Sequence, residues 1–331
     1  MKKILFLLVT SLSLGCSNER PIEPTSLSLY EDSDITIDGI RYQIKADGTA
    51  AVIRNEKLLQ SRSDEIIILP STIKNKGIDY ILNEIGELAF AFCVQLTTVV
   101  IPGSVTRIES RAFDGCSGLT FITIPHSVSY IGEFAFSNCK GLTSITIPSE
   151  VARIEKGLLS GCSGLTSITI LNSVPDFGEA AFSDCKSLTS FTIPDNITHI
   201  ERSLFAGCTG LTSIIIPNSV IEIGNFAFNG CTGLTSITLP NSVVNIEEHA
   251  FYRCAGLTSI TIPGSVATIG NDAFLDCSNL AKIYLECNTP PVANRIGVEP
   301  ESVQIYVPRG RLETYRQSTY WINFTDIQEI T

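Results

Sequence analysis

The sequence predicts an α/β solenoid of stacked 23-residue coils, with a parallel β-sheet along one face and short helical turns along the opposite face. Two observations predict it. Nine of the eleven cysteines are spaced 23 residues apart, at Cys93, Cys116, Cys139, Cys162, Cys185, Cys208, Cys231, Cys254 and Cys277. The residues between them repeat with the same period, and a fixed period of about 20–30 residues is typical of a solenoid.

The first half of each coil carries the pattern of a half-buried strand. Counting the cysteine as position 0, leucine stands at +3, apolar residues stand at +6 and +8, and mostly polar residues stand at +5 and +7. The coil of Cys116 has Leu119, Ile122 and Ile124 at the apolar positions, and Pro125 follows them. Alternation with period two predicts a strand, and proline ends it because it has no N–H for a ladder.

The second half of each coil predicts a return across the core. Apolar residues at +12 and +15 fit one more inward face. Ala-Phe at +19 and +20, as in Ala135-Phe136, is too short for a full helix and predicts one turn of 3₁₀ or α-helix. We expect the repeated phenylalanines to form a buried row: Phe90, Phe113, Phe136, Phe182, Phe205, Phe228, Phe251 and Phe274.

The array is predicted to extend beyond the cysteines. Residues 67–70 and 305–308 both resemble a strand ending in proline, which gives about eleven strands and a sheet of roughly 50 Å. Residues 74–82 interrupt the period as an insertion. Glycine and glutamate alternate at +16 from Gly86 to Gly270, which indicates duplication of two-coil units.

The cysteines of the array are predicted to be buried free thiols. A zinc site needs converging ligands and commonly Cys-x-x-Cys spacing, which the sequence lacks. Equivalent positions in stacked coils point their Cβ atoms the same way, which disfavours disulfides. A disulfide between Cys277 and Cys287 stays open.

The two ends of the chain are predicted to be a secretion signal and two caps. Residues 1–15 read as a signal peptide, and the Gly15-Cys16 junction resembles a bacterial lipoprotein signal. That resemblance implies a lipidated Cys16 and a tether over 16–30, the alternative being an ordinary signal peptide with an incidental cysteine. Residues 31–65 are expected to form an N-terminal β-hairpin cap, in which 35–44 and 49–54 flank a turn at 45–48. Residues 66–286 form the solenoid, and 287–331, with the single tryptophan Trp321, form a C-terminal cap.

The repeat L-x-x-I-x-I-P-x-S-V-x-x-I-G-x-x-A-F-x-x-C resembles the BspA-like leucine-rich repeat proteins of bacterial surfaces, Bacteroidales type. The resemblance implies leucine-rich repeat coils with the sheet on the concave face. It also implies surface display and an adhesin-like role, and together with the lipoprotein-like signal it predicts a lipid-anchored protein of the outer membrane or cell surface. Its ligand would be a host matrix or plasma protein, a mucin or a glycan.

The residues themselves indicate no chemistry. A net charge of −11 argues against nucleic acid as a partner. The three histidines occupy different repeat positions, at His126, His199 and His249. We therefore expect no metal, cofactor or catalytic residue. Separately, we expect the chain to be a monomer. The alternatives are a structural component of the cell envelope and, with less support, a polysaccharide-processing enzyme, which would need clustered carboxylates.

The outward +5 and +7 positions of the sheet are the candidate binding surface. They form two hydroxyl-rich rows, which are either solvated β-surface or an uncharged surface that meets a partner at little desolvation cost. The apolar, aromatic and basic exceptions are the expected anchors. The predicted binding residues are Phe121, Thr123, Ser144, Thr146, Ser167, Thr169, Ser190, Thr192, Ser213, Ile215, Lys282 and Tyr284.

Overall fold

A computed structural model describes residues 33–55, 65–171 and 174–330. The predicted signal peptide, Cys16 and the tether lie outside the described residues, as does 56–64 of the predicted N-terminal cap. The strands, in chain order, are β1 (Ser33–Ile37), β2 (Ile40–Ile44), β3 (Thr49–Val52), β4 (Glu65–Ile68), β5 (Thr72–Asn75), β6 (Ile78–Ile85), β7 (Leu96–Val100), β8 (Arg107–Ile108), β9 (Phe121–Thr123), β10 (Tyr130–Ile131), β11 (Ser144–Ile147), β12 (Ser167–Ile170), β13 (Ser190–Thr192), β14 (His199–Ile200), β15 (Ser213–Ile215), β16 (Glu222–Ile223), β17 (Asn245–Ile246), β18 (Ser259–Ile262), β19 (Thr268–Ile269), β20 (Lys282–Leu285), β21 (Gln304–Val307) and β22 (Ile327–Glu329).

The coils stack in parallel register, one repeat apart, as the period predicts. Ser144 pairs with Ser167 and Ile145 with Ile168, each 23 residues further along the chain. The leucines at +3 and the phenylalanines at +20 are buried throughout the stack. Phenylalanine rings of successive coils stack at centroid distances such as 5.2 Å for Phe90–Phe113. The solenoid and its buried phenylalanine row are therefore confirmed.

A second parallel ladder runs beside the first, and the sequence pattern did not predict it. The first, the long ladder, uses positions +5 to +8. The second, the short ladder, uses only +14 and +15, as where Arg107 pairs with Tyr130 and Ile108 with Ile131. Its +15 residues are buried, which fits the predicted second inward face. Two-residue strands are too short to leave a recognisable period.

The Ala-Phe segment is not a helical turn, and that prediction is wrong. The residues at +18 and +22 have left-handed backbones, with φ of 55° at Phe134 and 57° at Asn138. The N–H groups at +18, +20 and +22 donate to carbonyls of the next coil, as from Phe136 to Leu158 at 3.1 Å. Because these N–H groups point at the neighbouring coil, they do not form the hydrogen bonds of a helix. Among the described residues, α-helix occurs at α1 (Leu312–Arg316) and 3₁₀-helix at Trp321–Asn323.

The N-terminal cap is a three-stranded meander, where a single hairpin was predicted. Residues 35–44 are two strands, not one, because Asp38 and Gly39 turn the chain with φ of 49° and 81°. The β2–β3 turn lies at 45–48, as predicted, and is closed by the N–H of Lys45 donating to Thr49 O. Strand β3 then pairs in parallel with β6, so the cap extends the short ladder. The predicted insertion at 74–82 is the antiparallel hairpin of β5 and β6.

The C-terminal segment continues the long ladder before it caps it. Strand β21 pairs with β20 as predicted, and β22 adds a further strand that the sequence did not predict. Trp321 is buried and donates its Nε1–H to Pro291 O at 2.9 Å. Tyr315 donates its hydroxyl to Cys287 O at 2.7 Å. These buried polar contacts hold Tyr315 and Trp321 against residues 287–291, where the C-terminal segment begins.

The array cysteines are buried free thiols, as predicted, and Cys277 and Cys287 are both free. Each thiol from Cys116 to Cys277 donates to the carbonyl of a phenylalanine, or in one coil of Leu159, 26 residues earlier. Cys116 Sγ, for example, lies 3.0 Å from Phe90 O. Burial raises the pKa of Cys208 to about 12 and that of Cys287 to about 11. These thiols act as small core residues.

At position +16 the coils associate in pairs, which gives the glycine–glutamate alternation a physical cause. A Cβ at Gly132 would lie 2.5 Å from the backbone nitrogen of Ser110, and one at Gly270 would lie 2.5 Å from that of Glu248. We call a coil with glycine at +16 a glycine coil and a coil with glutamate at +16 a glutamate coil. At this position each glycine coil packs tightly on the glutamate coil that precedes it. The Thr166 hydroxyl joins the two backbones of one such pair by donating to Thr143 O.

In the middle of the array the long ladder follows the same pairing, whereas β4–β7 and β18–β20 continue across the boundary that follows a glycine coil. Strands β11 and β12 form one two-stranded sheet, and β13 and β15 form another. In both sheets a glutamate coil is followed by its glycine coil. We call such a pair a two-coil unit, and we call the boundary between a glycine coil and the next glutamate coil a seam.

Candidate binding surface

The sheet face, formed by the outward +5 and +7 side chains of the long ladder, is the candidate site. The structure places all twelve predicted binding residues on it. Eleven of them are exposed, and Tyr284 is half-buried. Strand pleating puts successive side chains on opposite faces, which sets the hydroxyls outward and the isoleucines inward. The predicted residues therefore lie on one face of the long ladder.

An exposed apolar cluster lies at the N-terminal end of the sheet face. Ile66 and Ile68 are 67% and 73% exposed, and Val100 and Phe121 are 45% and 56% exposed. Ladder register brings them together, because Ile66 pairs with Thr98, which pairs with Phe121, and Ile68 pairs with Val100. The sequence indicated Phe121 as an anchor but missed the two isoleucines. The sequence feature that could have indicated them is the run of three successive isoleucines at 66–68, since one face of a strand with this pattern must be apolar and exposed.

Two clefts open in the sheet face, and each lies on a seam. The first, of about 300 Å³, lies between β9 and β11. It is lined by both predicted and unpredicted residues: Phe121, Ile122, Thr123, Ile124, His126, Ser144, Ile145, Thr146, Pro148 and Leu171. Leu171 is exposed and stands where most coils have proline.

The second cleft, of about 340 Å³, lies two coils further on, between β12 and β13. Ser167, Ser190 and Thr192 are at its rim, and the inward residues Ile168 and Ile170 form part of its lining. Both isoleucines are only partly buried, whereas Ile145 and Ile147 of β11 are buried. The strands therefore part at the seam far enough to expose core side chains.

The predicted anchors at the C-terminal end form a separate group. Tyr284 stacks on Tyr306 with ring centroids 4.7 Å apart, which is why Tyr284 is half-buried. The Tyr306 hydroxyl donates to Gln304 Oε1 at 2.9 Å. Lys282 is exposed beside them on β20. Seven coils separate Phe121 from Lys282, roughly 34 Å at a strand spacing of about 4.8 Å, so one small ligand cannot contact both.

The sheet face is electrically neutral over most of its length. Between Thr98 and Thr261 no +5 or +7 residue is charged. Ion pairs lie instead on and after the short ladder, as where Lys156 Nζ is 2.8 Å from Glu179 Oε2. A partner on the sheet face would bury hydroxyls and apolar groups without burying an unpaired charge.

The repeat pattern also matches a known family over most of the array. Residues 83–212 and 198–296 match the BspA-type leucine-rich repeat region, in six copies. The chain belongs to the BspA-type leucine-rich repeat family. A comparison with curated proteins finds no match.

Solved leucine-rich repeat structures are similar to this BspA-type chain. A leucine-rich cell surface protein of Faecalibacterium prausnitzii is 23% identical, with 77% of this chain and 95% of that chain covered, at a TM-score of 0.39. A leucine-rich repeat protein of Bacteroides ovatus is 24% identical, with 90% and 100% covered, at 0.31. A protein of Eubacterium ventriosum is 18% identical, with 89% and 85% covered, at 0.46. Family membership rests on the repeat match alone.

The described part of this BspA-type protein holds no cluster of metal ligands. Within it, no three His, Cys, Asp or Glu side chains are placed to hold a metal ion. The histidines have different surroundings: His126 borders the first cleft, His199 contacts Thr198, and His249 stacks on Phe226 at 4.7 Å. No helix within the described ranges is long and apolar enough to cross a membrane.

Proposed function

We propose that this BspA-type protein is a non-enzymatic lipoprotein of the cell envelope that binds a macromolecule through its sheet face. The ligand is a host matrix or plasma protein, a mucin or a glycan. The observation that carries the proposal is the exposed apolar cluster on an uncharged face. Large exposed apolar patches on soluble proteins mark interaction sites, because they otherwise favour aggregation.

The energetics of the sheet face suit an extended partner. Phe121, Ile66 and Ile68 offer apolar area that binding would remove from water at about 25 cal/mol per Å². The hydroxyl rows beyond them exchange hydrogen bonds with water for hydrogen bonds with a ligand at little net cost. Aromatic and apolar anchors then supply most of the affinity, and the hydroxyls supply complementarity.

Binding is tested with an array of matrix proteins, plasma proteins, mucins and glycans, using the chain from residue 17 onward. The double variant Ile68→Ser with Phe121→Ser is expected to weaken binding at least about tenfold. The matched control is Ile221→Ser, since Ile221 is 43% exposed but lies outside the +5 and +7 rows. Equal binding by the double variant and the native chain would show that the sheet face is not the site.

The anchor is tested separately, in a bacterium that lipidates lipoproteins. The full chain is expected to incorporate labelled fatty acid and to sediment with membranes. Cys16→Ala is expected to lose both properties. Label retained by that variant would show that residue 16 is not the lipidation site, without affecting the binding proposal.

A further inference from the structure

The two seam clefts form a repeating set of subsites on the sheet face. Each lies between a glycine coil and the next glutamate coil, and each has outward hydroxyls at its rim and inward isoleucines in its lining. At about 300 Å³ and 340 Å³, they are at the small end of ligand pockets, which run from about 300 to 1,000 Å³. Each is therefore suited to a short segment of a longer chain.

We propose that the seams bind a polyproline II strand that lies along the solenoid axis and places every third residue in a successive seam. This rests on the proposed function, because it names the polymer that the sheet face binds. Three properties of the seams lead to it: their spacing, their hydroxyls and their lack of charge.

The spacing of the seams excludes an extended β-strand as the ligand. Successive seams are two coils apart, which is at least about 9.6 Å at a strand spacing of about 4.8 Å, because the strands part at the seams that hold the clefts. A β-strand presents the same face every two residues, about 6.8 Å, and falls out of step. A polyproline II strand presents the same face every three residues, about 9.3 Å, which is close enough to the seam spacing to reach both clefts.

An α-helix repeats a face every seven residues, about 10.5 Å, so spacing alone does not reject it. The hydroxyls beside the seams do. Helix carbonyls are bonded within the helix, whereas a polyproline II backbone has no internal hydrogen bonds and projects its carbonyls outward. Ser144 and Thr146 at the first seam, and Ser190 and Thr192 at the second, can donate to such carbonyls.

Charge and side-chain chemistry match the same ligand. The sheet face is neutral from Thr98 to Thr261 although the chain carries a net charge of −11, so a neutral proline-rich strand binds there without desolvating an ion. Phe121 and Leu171 give the first seam apolar side chains against which a prolyl ring can pack. Proline-rich strands are commonly recognised in grooves lined by aromatic side chains.

The test is binding of fluorescently labelled decaproline, which spans about 31 Å and so covers both clefts. Thr146→Phe and Thr192→Phe each fill one cleft and are expected to weaken binding at least about tenfold. Thr261→Phe is the matched control, because it is the same change in the same row. Thr261 lies on β18, within the four-stranded sheet of β18, β20, β21 and β22, and it lines neither cleft. The control is expected to bind within about twofold of the native chain.

A linear β-glucan oligosaccharide of similar length is run in parallel. Glucan binding that Thr146→Phe abolishes, with no decaproline binding, would overturn the polyproline ligand and keep the sheet face as a binding site. Decaproline binding that all three variants weaken equally, or that none weakens, would overturn the seams as the site. Binding of neither probe at millimolar concentration, beside an array ligand sensitive to the Phe121 variant, would overturn this inference alone.

Discussion

Thr166 donates its hydroxyl to the backbone carbonyl of Thr143, 23 residues earlier, at a distance of 3.0 Å. The same bond joins Thr120 to Thr97 at 3.2 Å and Thr212 to Thr189 at 3.1 Å. Each joins a glycine coil to the glutamate coil before it. Threonine at +4 thus belongs to the cohesion of the two-coil unit, a role that its polar character alone does not indicate.

Thr166→Val, which keeps the shape and removes the donor, is expected to lower the free energy of unfolding by about 1 kcal/mol. Thr169→Val is the control, because Thr169 is exposed on the sheet face of the same coil and valine suits a strand. Urea denaturation followed by circular dichroism measures both. A larger loss for Thr169→Val than for Thr166→Val would contradict the hydrogen-bond assignment.

Gly132→Ala is expected to destabilise the protein by about 1–3 kcal/mol, because the new methyl group meets the backbone of Ser110 and the coils must separate. The control is Glu155→Ala, at the same repeat position of the following coil. In thermal unfolding, Gly132→Ala should melt several degrees lower than Glu155→Ala. Similar melting temperatures would mean that both coils pack alike.

Phe136→Ala is expected to cost about 3–5 kcal/mol, because Phe136 is fully buried and stacks on Phe113 at 5.3 Å. Phe121→Ala removes the same atoms from an exposed site and should cost less than about 1 kcal/mol. The comparison separates packing from binding, since only Phe121 is proposed to contact a ligand. A small loss at Phe136 would require a core that closes around the missing ring.

The array thiols should resist a thiol reagent in the native protein and react fully in denaturant. The thiolate is the reactive form, and burial raises the pKa of Cys208 to about 12. Mass spectrometry after a short pulse at pH 8 counts the modified residues. Rapid modification of several array cysteines without denaturant would show that the core opens readily.

Stability should fall as pH rises from about 9 towards 11–12. The pKa of Cys287 is raised to about 11 and that of Cys208 to about 12, above the value of about 9 for an unfolded thiol. The native state then holds protons that the unfolded state loses, so the stabilisation is complete below pH 9 and declines above it. The urea midpoint measured between pH 7 and pH 11 tests this, and Cys287→Ala should reduce the decline.

The 23-residue period predicted the coil, the buried side chains and the sheet face, because the alternation and spacing of apolar residues follow their burial directly. It did not predict the left-handed residues, because they include Leu88, Arg111 and Phe134 and are not confined to glycine. Their conformation is imposed by hydrogen bonds to the next coil. The exposed isoleucines were missed because Ile66 and Ile68 belong to the irregular first coil, which precedes the first cysteine of the 23-residue period.

The seam clefts were unpredictable for a related reason. They arise from how tightly one coil sits on another, and only the glycine–glutamate alternation encodes that. The sequence showed the alternation without its cause, which is the absence of space for a Cβ at positions such as Gly132. A property of the interface between coils cannot be read from the pattern within one coil.

Because of that alternation, the length of the solenoid changes in steps of two coils. Gaining or losing 46 residues leaves every glycine coil seated on a glutamate coil, whereas gaining or losing 23 places two coils of one kind in succession. A tandem array of this type grows or shrinks in steps of two, and each step adds or removes one complete seam. The reach of the molecule and the number of its seams therefore change together.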